Sequence, residues 1–310
     1  YGDHRDLHRV DRRQRQMCIR DRYIAVLLAA HNSGERIEEQ INTILSQKNV
    51  NINIFISIDI SNDDTLNLCN RLKQKNECIK VLPYGEHFGG AAKNFYRLIR
   101  DVDFSNFDYV SLADQDDIWL PEKLSHAVKI LQNNKAVAYS SDVMAFWDNK
   151  VEKLVKKSFP QKRFDYYFES PGPGCTFLLD SDSVMLFQVF TNNNWDEVND
   201  IDSHDFFMYA FIRSRGLPWY IDSKVLMLYR QHESNQFGSN IGFKAHLKRL
   251  KMIRSGWYRS EVSKISALIS VDDPNKFNLR RWFLIKNFYQ LRRKKRDVFL
   301  LLLMILFRFF

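Results

Sequence analysis

The chain has 310 residues, 45% of them hydrophobic, 14% aromatic and 27% charged, which excludes a disordered, collagen-like or disulfide-stapled protein and leaves room for one large core, alone or with an appendage. Its formal net charge of +9 is unevenly placed, at +3 over residues 1–22, −7 over 23–243 and +13 over 244–310. An acidic body argues against a nucleic-acid-binding core, and a basic tail points to an anionic surface, a membrane first of all.

Residues 1–22 are Arg-rich and unperiodic and lack the apolar stretch of a secretory signal. They end in "MCIRDR", which resembles translated sequencing-adapter DNA, so the fold is expected to begin near Tyr23; a disordered basic arm is the alternative. Cys18, Cys69, Cys78 and Cys175 form no CxxC and no cluster with zinc spacing, which predicts a reduced, intracellular protein.

From Tyr23 short apolar runs alternate with amphipathic ones. "YIAVLLAA" reads as a buried strand, and "SGERIEEQINTILSQ" as a helix opened by Ser33 with Ile37, Ile41, Ile44 and Leu45 on one face. "INIFISID" is a second strand, followed by a helix from about Asp63 to Gln74. "IKVLPY" is a third strand, "GGAAKNFYRLIRDV" a helix after a glycine turn, and "YVSLAD" a fourth strand. This alternation predicts an α/β domain with a mostly parallel sheet covered on both faces, whose ligands bind beyond the carboxyl ends of the strands.

Past Pro121 the order loosens through "AVAYSSDVMAF", a charged loop, and the Pro/Gly cluster of "SPGPGCTFLLD" before another apolar strand. "DIDSHDFFMYAFIRSRG" is helical with a stop at Gly216, "VLMLYRQH" is a strand, and residues 241–296 read as helical, aromatic and basic. The run from Val298 to Phe310 falls short of the ~20 residues that span a bilayer. It either lies in a membrane interface behind its basic block or packs as a terminal helix on the core.

Five polar clusters sit at predicted strand or helix ends. Asp114, Asp116 and Asp117 crowd three carboxylates into four positions, which calls for a cation. Oxygen-only ligands, with no His or Cys nearby, suit Mg²⁺ or Mn²⁺ holding a diphosphate; a solvated turn capping the helix after Pro121 is the other reading. Asp59 is either an acceptor for a pyrimidine N3–H or a turn residue bonding local amides. Gly90, Lys93 and Asn94 open a helix that could welcome phosphate, without Walker spacing. His204–Asp205 begins another helix, where a carboxylate could deprotonate a sugar hydroxyl or simply cap, and Arg230 and His232 follow a strand, able to face a leaving diphosphate or to lie in a surface loop.

The order and spacing of "LLAAHNSGERIEEQINTILSQ", "ISIDISNDDT", "FGGAAKNF", "LADQDDIWLPEKL", "GPGCTFLL", "SHDFF" and "YRQHESN", from about Tyr23 to Gly238, resemble the family 2 glycosyltransferases, and especially their bacterial rhamnosyltransferase-like branch. The resemblance implies a single nucleotide-sugar-binding domain of the A-type glycosyltransferase class over residues 23–243, with 244–310 as a helical extension able to associate with a membrane. It implies Asp114 and Asp116 as a metal motif for Mg²⁺ or Mn²⁺ and Asp205 as the general base of an inverting transfer. Ala30, Asn32, Glu35, Asp59, Gly90, Lys93, Asn94, Asp114, Gln115, Arg230 and His232 would line the nucleotide and donor region.

By the same analogy the donor is a dTDP- or UDP-sugar, rhamnose being the best match. The acceptor is a lipid-linked or polysaccharide intermediate, and the enzyme sits in the cytoplasm against the inner face of the bacterial membrane. Two departures stand out: Ile58 replaces the first of the family's usual acid pair, and Ile60 replaces the following glycine, which would strain a turn needing positive φ. A sugar-nucleotide nucleotidyltransferase would instead carry a Gly-rich basic loop after the first strand, where this chain has "AAHNSGERIEE". An inactive membrane-bound protein is the non-enzyme alternative, against which the retained Asp114, Asp116 and Asp205 speak.

Overall fold

The structure, a computed structural model, describes residues 22–34, 36–147, 152–232, 255–270, 273, 275, 277–307 and 310. Glu35 and the segments 1–21 and 233–254 lie outside the described residues, together with the expectations placed on them.

β1 (Tyr23–Ala30) is an interior strand of the main sheet. It pairs in parallel with β2 (Asn51–Ile58), whose outer edge carries β3 (Ile79–Val81), and on its other side with β4 (Tyr109–Ala113). All but the first of its residues are buried, as expected of an apolar run covered on both faces. Side chains alternate between the faces. Ile24, Val26 and Leu28 meet Ile37, Ile41 and Ile44 of α1 (Arg36–Leu45) and Leu68 and Leu72 of α2 (Thr65–Lys75) in one core; Ala25, Leu27 and Ala29 belong to a second core with Phe95 and Leu98 of α3 (Ala91–Asp101).

The region whose sequence pattern loosens builds a second sheet as well as the edge of the first. After β5 (Ile118–Trp119) and α4 (Lys123–Asn134), the run "AVAYSSDVMAF" splits at Asp142 into β6 (Ala138–Ser141) and β7 (Val143–Phe146), which enter different sheets. β8 (Glu152–Val155) pairs with β7, and β9 (Leu178–Asp180) runs antiparallel between β4 and β6. The Asp180 carboxylate caps α5 (Ser181–Asn193) by accepting from the Ser183 amide at 2.8 Å. Next come α6 (Trp195–Asn199), α7 (His204–Ser214), β10 (Trp219–Asp222) and β11 (Met227–Arg230). The main sheet has the order β10-β6-β9-β4-β1-β2-β3 and the second the order β5-β11-β7-β8. The turn that stops α7 is made at Gly216, two residues past its end, whose φ of 70° is the left-handed conformation that glycine adopts without strain.

The tail forms α8 (Trp257–Ile269), α9 (Arg281–Lys286) and α10 (Lys295–Leu306). Val262, Ile265, Ile269, Phe277, Leu284, Leu291, Leu301 and Ile305 share one core with Phe95 and with Phe207 and Phe211 of α7. Burying an aromatic such as Phe207 in that core stabilises the fold by about 3–5 kcal/mol relative to Ala. α10 packs as a terminal helix on the core through Val298, Leu301 and Ile305, while Phe299, Leu300, Leu303, Leu306 and Phe307 on its other side are exposed behind Lys294, Lys295 and Arg296. Among the described residues no helix is long and apolar enough to cross a membrane.

Candidate active site

The carboxyl ends of β1, β2 and β4 open on a cleft of about 770 Å³, whose far wall is Ser170, Gly172–Gly174 and the start of α7. Of the residues singled out in the sequence, Ala30, Asn32, Asp59, Gly90, Asn94, Asp114, Gln115, Asp116, Asp205 and His232 line it. Lys93 and Arg230 are not among its lining residues.

Several of these side chains hold the cleft's floor together. The Gln115 amide pairs with both backbone groups of His31, accepting from its N–H at 2.6 Å and donating to its carbonyl at 2.9 Å, so the ends of β4 and β1 are joined. Asn32, in the left-handed region at φ 45°, accepts from the Asn62 amide at 2.8 Å and ties the β1 loop to the β2 loop. Asn94 is buried, and its amide donates to the carbonyls of Ala30 and Ser57, which makes it a clamp on two strand ends. Asp59 accepts from the amides of Ile60, Phe88 and Gly89 at 2.8–2.9 Å and faces the His87 ring at 3.2 Å, so it shapes the loop before α3. Ile60 is not among the residues with positive φ, and the feared strain at that turn does not arise.

The acidic cluster corrects two expectations. It is not a solvated capping turn, since Asp116 is 7% and Asp117 0% exposed, and it does not lack His and Cys in space. β11 lies antiparallel to β5, with Leu228 opposite Ile118, so the residues that follow β11 return beside the residues that precede β5. The His232 Nε2 therefore contacts the Asp116 carboxylate, and the Arg230 amide donates to Asp117 at 3.1 Å. Arg230 spends its guanidinium on the Asp116 carbonyl at 2.9 Å and on Glu39 at 2.6 Å, bracing the loop from behind. Ligand atoms of Asp114, Asp117 and Cys175 lie within 4.8 Å of one another.

Burial, and then the charge of Asp116, pushes the Asp114 carboxyl up to about 7; burial and Asp114 raise Asp117 well above the usual carboxylate range. Crowded anions of this kind are relieved by a cation. Asp114 and Asp116 of this cluster line the cleft together with His232, and carboxylate and imidazole groups are donors that a divalent ion accepts.

Asp205 stands apart from that cluster, at the front of α7. Its Oδ1 accepts from the Phe206 amide at 2.7 Å and its Oδ2 from the Ser170 hydroxyl at 3.0 Å. His204 stacks on Phe95 at 4.2 Å, and burial pushes its pKa down to about 4, so the ring beside Asp205 is neutral near pH 7. Gly174 is what lets this corner close, because a Cβ there would lie 2.6 Å from His204 Nε2. Ser170, His87 and Cys175 are site residues that sequence spacing does not reveal; for Ser170 the one signal is the Pro/Gly cluster that turns it into the cleft.

The description "Glycosyl transferase family 2" matches residues 25–210. The chain is 45% identical to the dTDP-rhamnosyl transferase RfbG of Shigella flexneri over 289 residues, covering 91% of this chain and 100% of that protein. It is 26% identical to the UDP-Glc:alpha-D-GlcNAc-diphosphoundecaprenol beta-1,3-glucosyltransferase WfaP of Escherichia coli, covering 72% of this chain and 88% of that protein. Its fold is similar to that of the mannosyltransferase PcManGT from Pyrobaculum calidifontis, solved with GDP-Man and Mn²⁺, with a TM-score of 0.54 at 13% identity over 92% of this chain and 79% of that one. With the parallel sheet, the cleft at its carboxyl edge and these matches in hand, the chain belongs to the family 2 glycosyltransferases.

Proposed function

We propose that the enzyme moves rhamnose from dTDP-rhamnose to a hydroxyl of a lipid-linked surface-polysaccharide intermediate, with inversion at the sugar's C1. The observation that carries this reading is the pairing, across one cleft, of a crowded acid cluster with a separate carboxylate at a helix start. Asp205 takes the proton of the acceptor hydroxyl as its oxygen attacks C1 opposite the diphosphate. Asp114, Asp116 and His232 would hold a divalent ion, and such an ion would supply charge neutralisation to a departing nucleoside diphosphate. A site mixing carboxylate and imidazole favours Mn²⁺ over Mg²⁺. Asp59 retains acceptor capacity on Oδ2 for a pyrimidine N3–H beside its bond from the Gly89 amide.

The name of RfbG supports the donor, and that of WfaP supports a diphosphate-lipid acceptor. The exposed apolar side of α10, with Tyr289 packed on Phe299 at 6.2 Å and three exposed basic residues ahead of it, supports a peripheral seat on an anionic membrane at its cytoplasmic face. Loss of binding to anionic vesicles on Leu303→Asp and Phe307→Asp is expected; unchanged sedimentation would remove the membrane from this reading.

The test of function is a panel of dTDP- and UDP-sugars with Mn²⁺, scored for nucleoside-diphosphate release. dTDP-rhamnose is expected to lead, release with a different sugar would redirect the assignment, and pyrophosphate release from a nucleoside triphosphate would replace transfer by nucleotidyl chemistry.

A further inference from the structure

The tail helices contribute a buried cation to the cleft's far wall. Arg293, 1% exposed in its side chain, comes from the segment between α9 and α10 and meets Ser170 from 123 residues downstream. Its Nη2 donates to the Ser170 carbonyl at 2.6 Å, its Nη1 lies 3.3 Å from the Tyr209 hydroxyl, and its backbone amide donates to Glu169 at 2.5 Å. Tyr209 stands one turn after Asp205 on α7. One guanidinium thus grips both the 169–170 segment and the helix that carries the carboxylate.

Ser170 passes that grip on. Its hydroxyl reaches Asp205 Oδ2 at 3.0 Å and the Gly172 carbonyl at 2.5 Å. One hydroxyl proton serves two acceptors, so small shifts of the Ser170 backbone decide which of them receives it. Charge balance alone does not explain Arg293, because Asp165, 3.4 Å from it, also has Arg213 at 3.6 Å, and Glu169, 3.6 Å from it, also has Arg292 at 3.9 Å. What Arg293 adds is the bond to the Ser170 carbonyl, in a fork geometry that lysine cannot reproduce.

We propose that Arg293 is a positioning residue for sugar transfer: through Ser170 it holds Oδ2 of Asp205 in the direction from which the acceptor's proton arrives. This rests on Asp205 being the general base. The tail is therefore part of the active site's support, whatever surface its outer side meets.

The test compares Ser170→Ala, Ser170→Thr, Arg293→Lys, the Ser170→Ala/Arg293→Lys double variant and Asp205→Asn in the full chain, with the donor that the nucleotide-sugar panel selects. Turnover, donor Kd and Tm are measured for each. Ser170→Ala and Arg293→Lys are expected to lower kcat by about ten- to a hundredfold with donor Kd unchanged, as misplacement of a reacting group does. Ser170→Thr, which keeps the hydroxyl, should recover most of the loss, and the double variant should fall no further than the worse single one. Full kcat in Ser170→Ala beside a dead Asp205→Asn overturns the positioning role and leaves the base in place; losses that multiply in the double variant overturn it too. An active Asp205→Asn overturns the base and this inference with it. Should Arg293→Lys fail to fold, the contrast of Ser170→Ala with Ser170→Thr decides alone.

Discussion

Two acidic regions face each other across the cleft, and they are built on opposite principles. At the β4 edge burial and the charge of Asp116 raise the proton affinity of Asp114, burial and Asp114 raise that of Asp117, and the Asp116 carboxylate meets an imidazole. At the α7 edge Asp205 accepts, among the described residues, from one hydroxyl and one amide, beside a histidine that burial keeps neutral. In the proposed function crowding suits the first region to a cation, and separation suits the second to taking up a proton. Net negative charge in a loop thus says little about a carboxylate's role until its neighbours in space are known.

The sharpest way to break this contrast is to neutralise each region in turn. Asp205→Asn is expected to lower kcat by ~10³-fold while the affinities for donor and Mn²⁺ stay within about twofold, since a general base contributes 10²–10⁴ to rate and little to ground-state binding. Calorimetry that finds donor binding lost with turnover would show that the two regions are one.

Asp116→Asn should do the reverse. Mn²⁺ affinity falls first, and turnover at a fixed metal concentration drops by ~10²-fold, recovering partly as Mn²⁺ is raised. An Asp116→Asn enzyme with wild-type metal dependence would move the ion elsewhere in the cleft.

The pH dependence of metal binding follows from Asp114, whose pKa is pushed up to about 7 in the metal-free protein. Below that value the carboxyl keeps its proton and offers the ion no anionic oxygen; above it the carboxylate is available. Mn²⁺ affinity should therefore rise with pH through about 7, by up to ~tenfold per unit on the acid side, with proton release seen on titration. A flat profile between pH 6 and 8 would remove Asp114 from the ligands.

The smallest effect is expected at Gly174. A methyl group there meets the His204 ring, which Phe95 hinders from swinging aside, so Gly174→Ala should cost ~1–3 kcal/mol by thermal denaturation and lower kcat severalfold without touching Mn²⁺ affinity. A change in metal affinity would tie the two walls together more tightly than their separate hydrogen bonds imply.

Much of the first region was legible in the linear order. The apolar run of β1 and the amphipathic period of α1 follow from local side-chain spacing, and strand ends of a parallel sheet put Asp59 and Asp114–Asp117 on one edge by topology alone. Even there the partners were not legible: His232 stands 116 residues from Asp116, and only the pairing of β11 with β5 brings them together. The strands after Pro121 were harder to read because two of them share one continuous apolar run that splits between sheets at Asp142.

The sequence by itself determined the class of the fold, the carboxyl-edge location of the cleft and the presence of Asp205 at a helix start, because these depend on period, order and local caps. Tertiary structure alone decided which acids crowd and which stands apart, that Asn94 and Arg230 brace the cleft's walls, and that a tail arginine reaches Ser170. Those outcomes are set by contacts between residues far apart in the chain, where burial and neighbouring charge, invisible in spacing, fix the chemistry of each side chain.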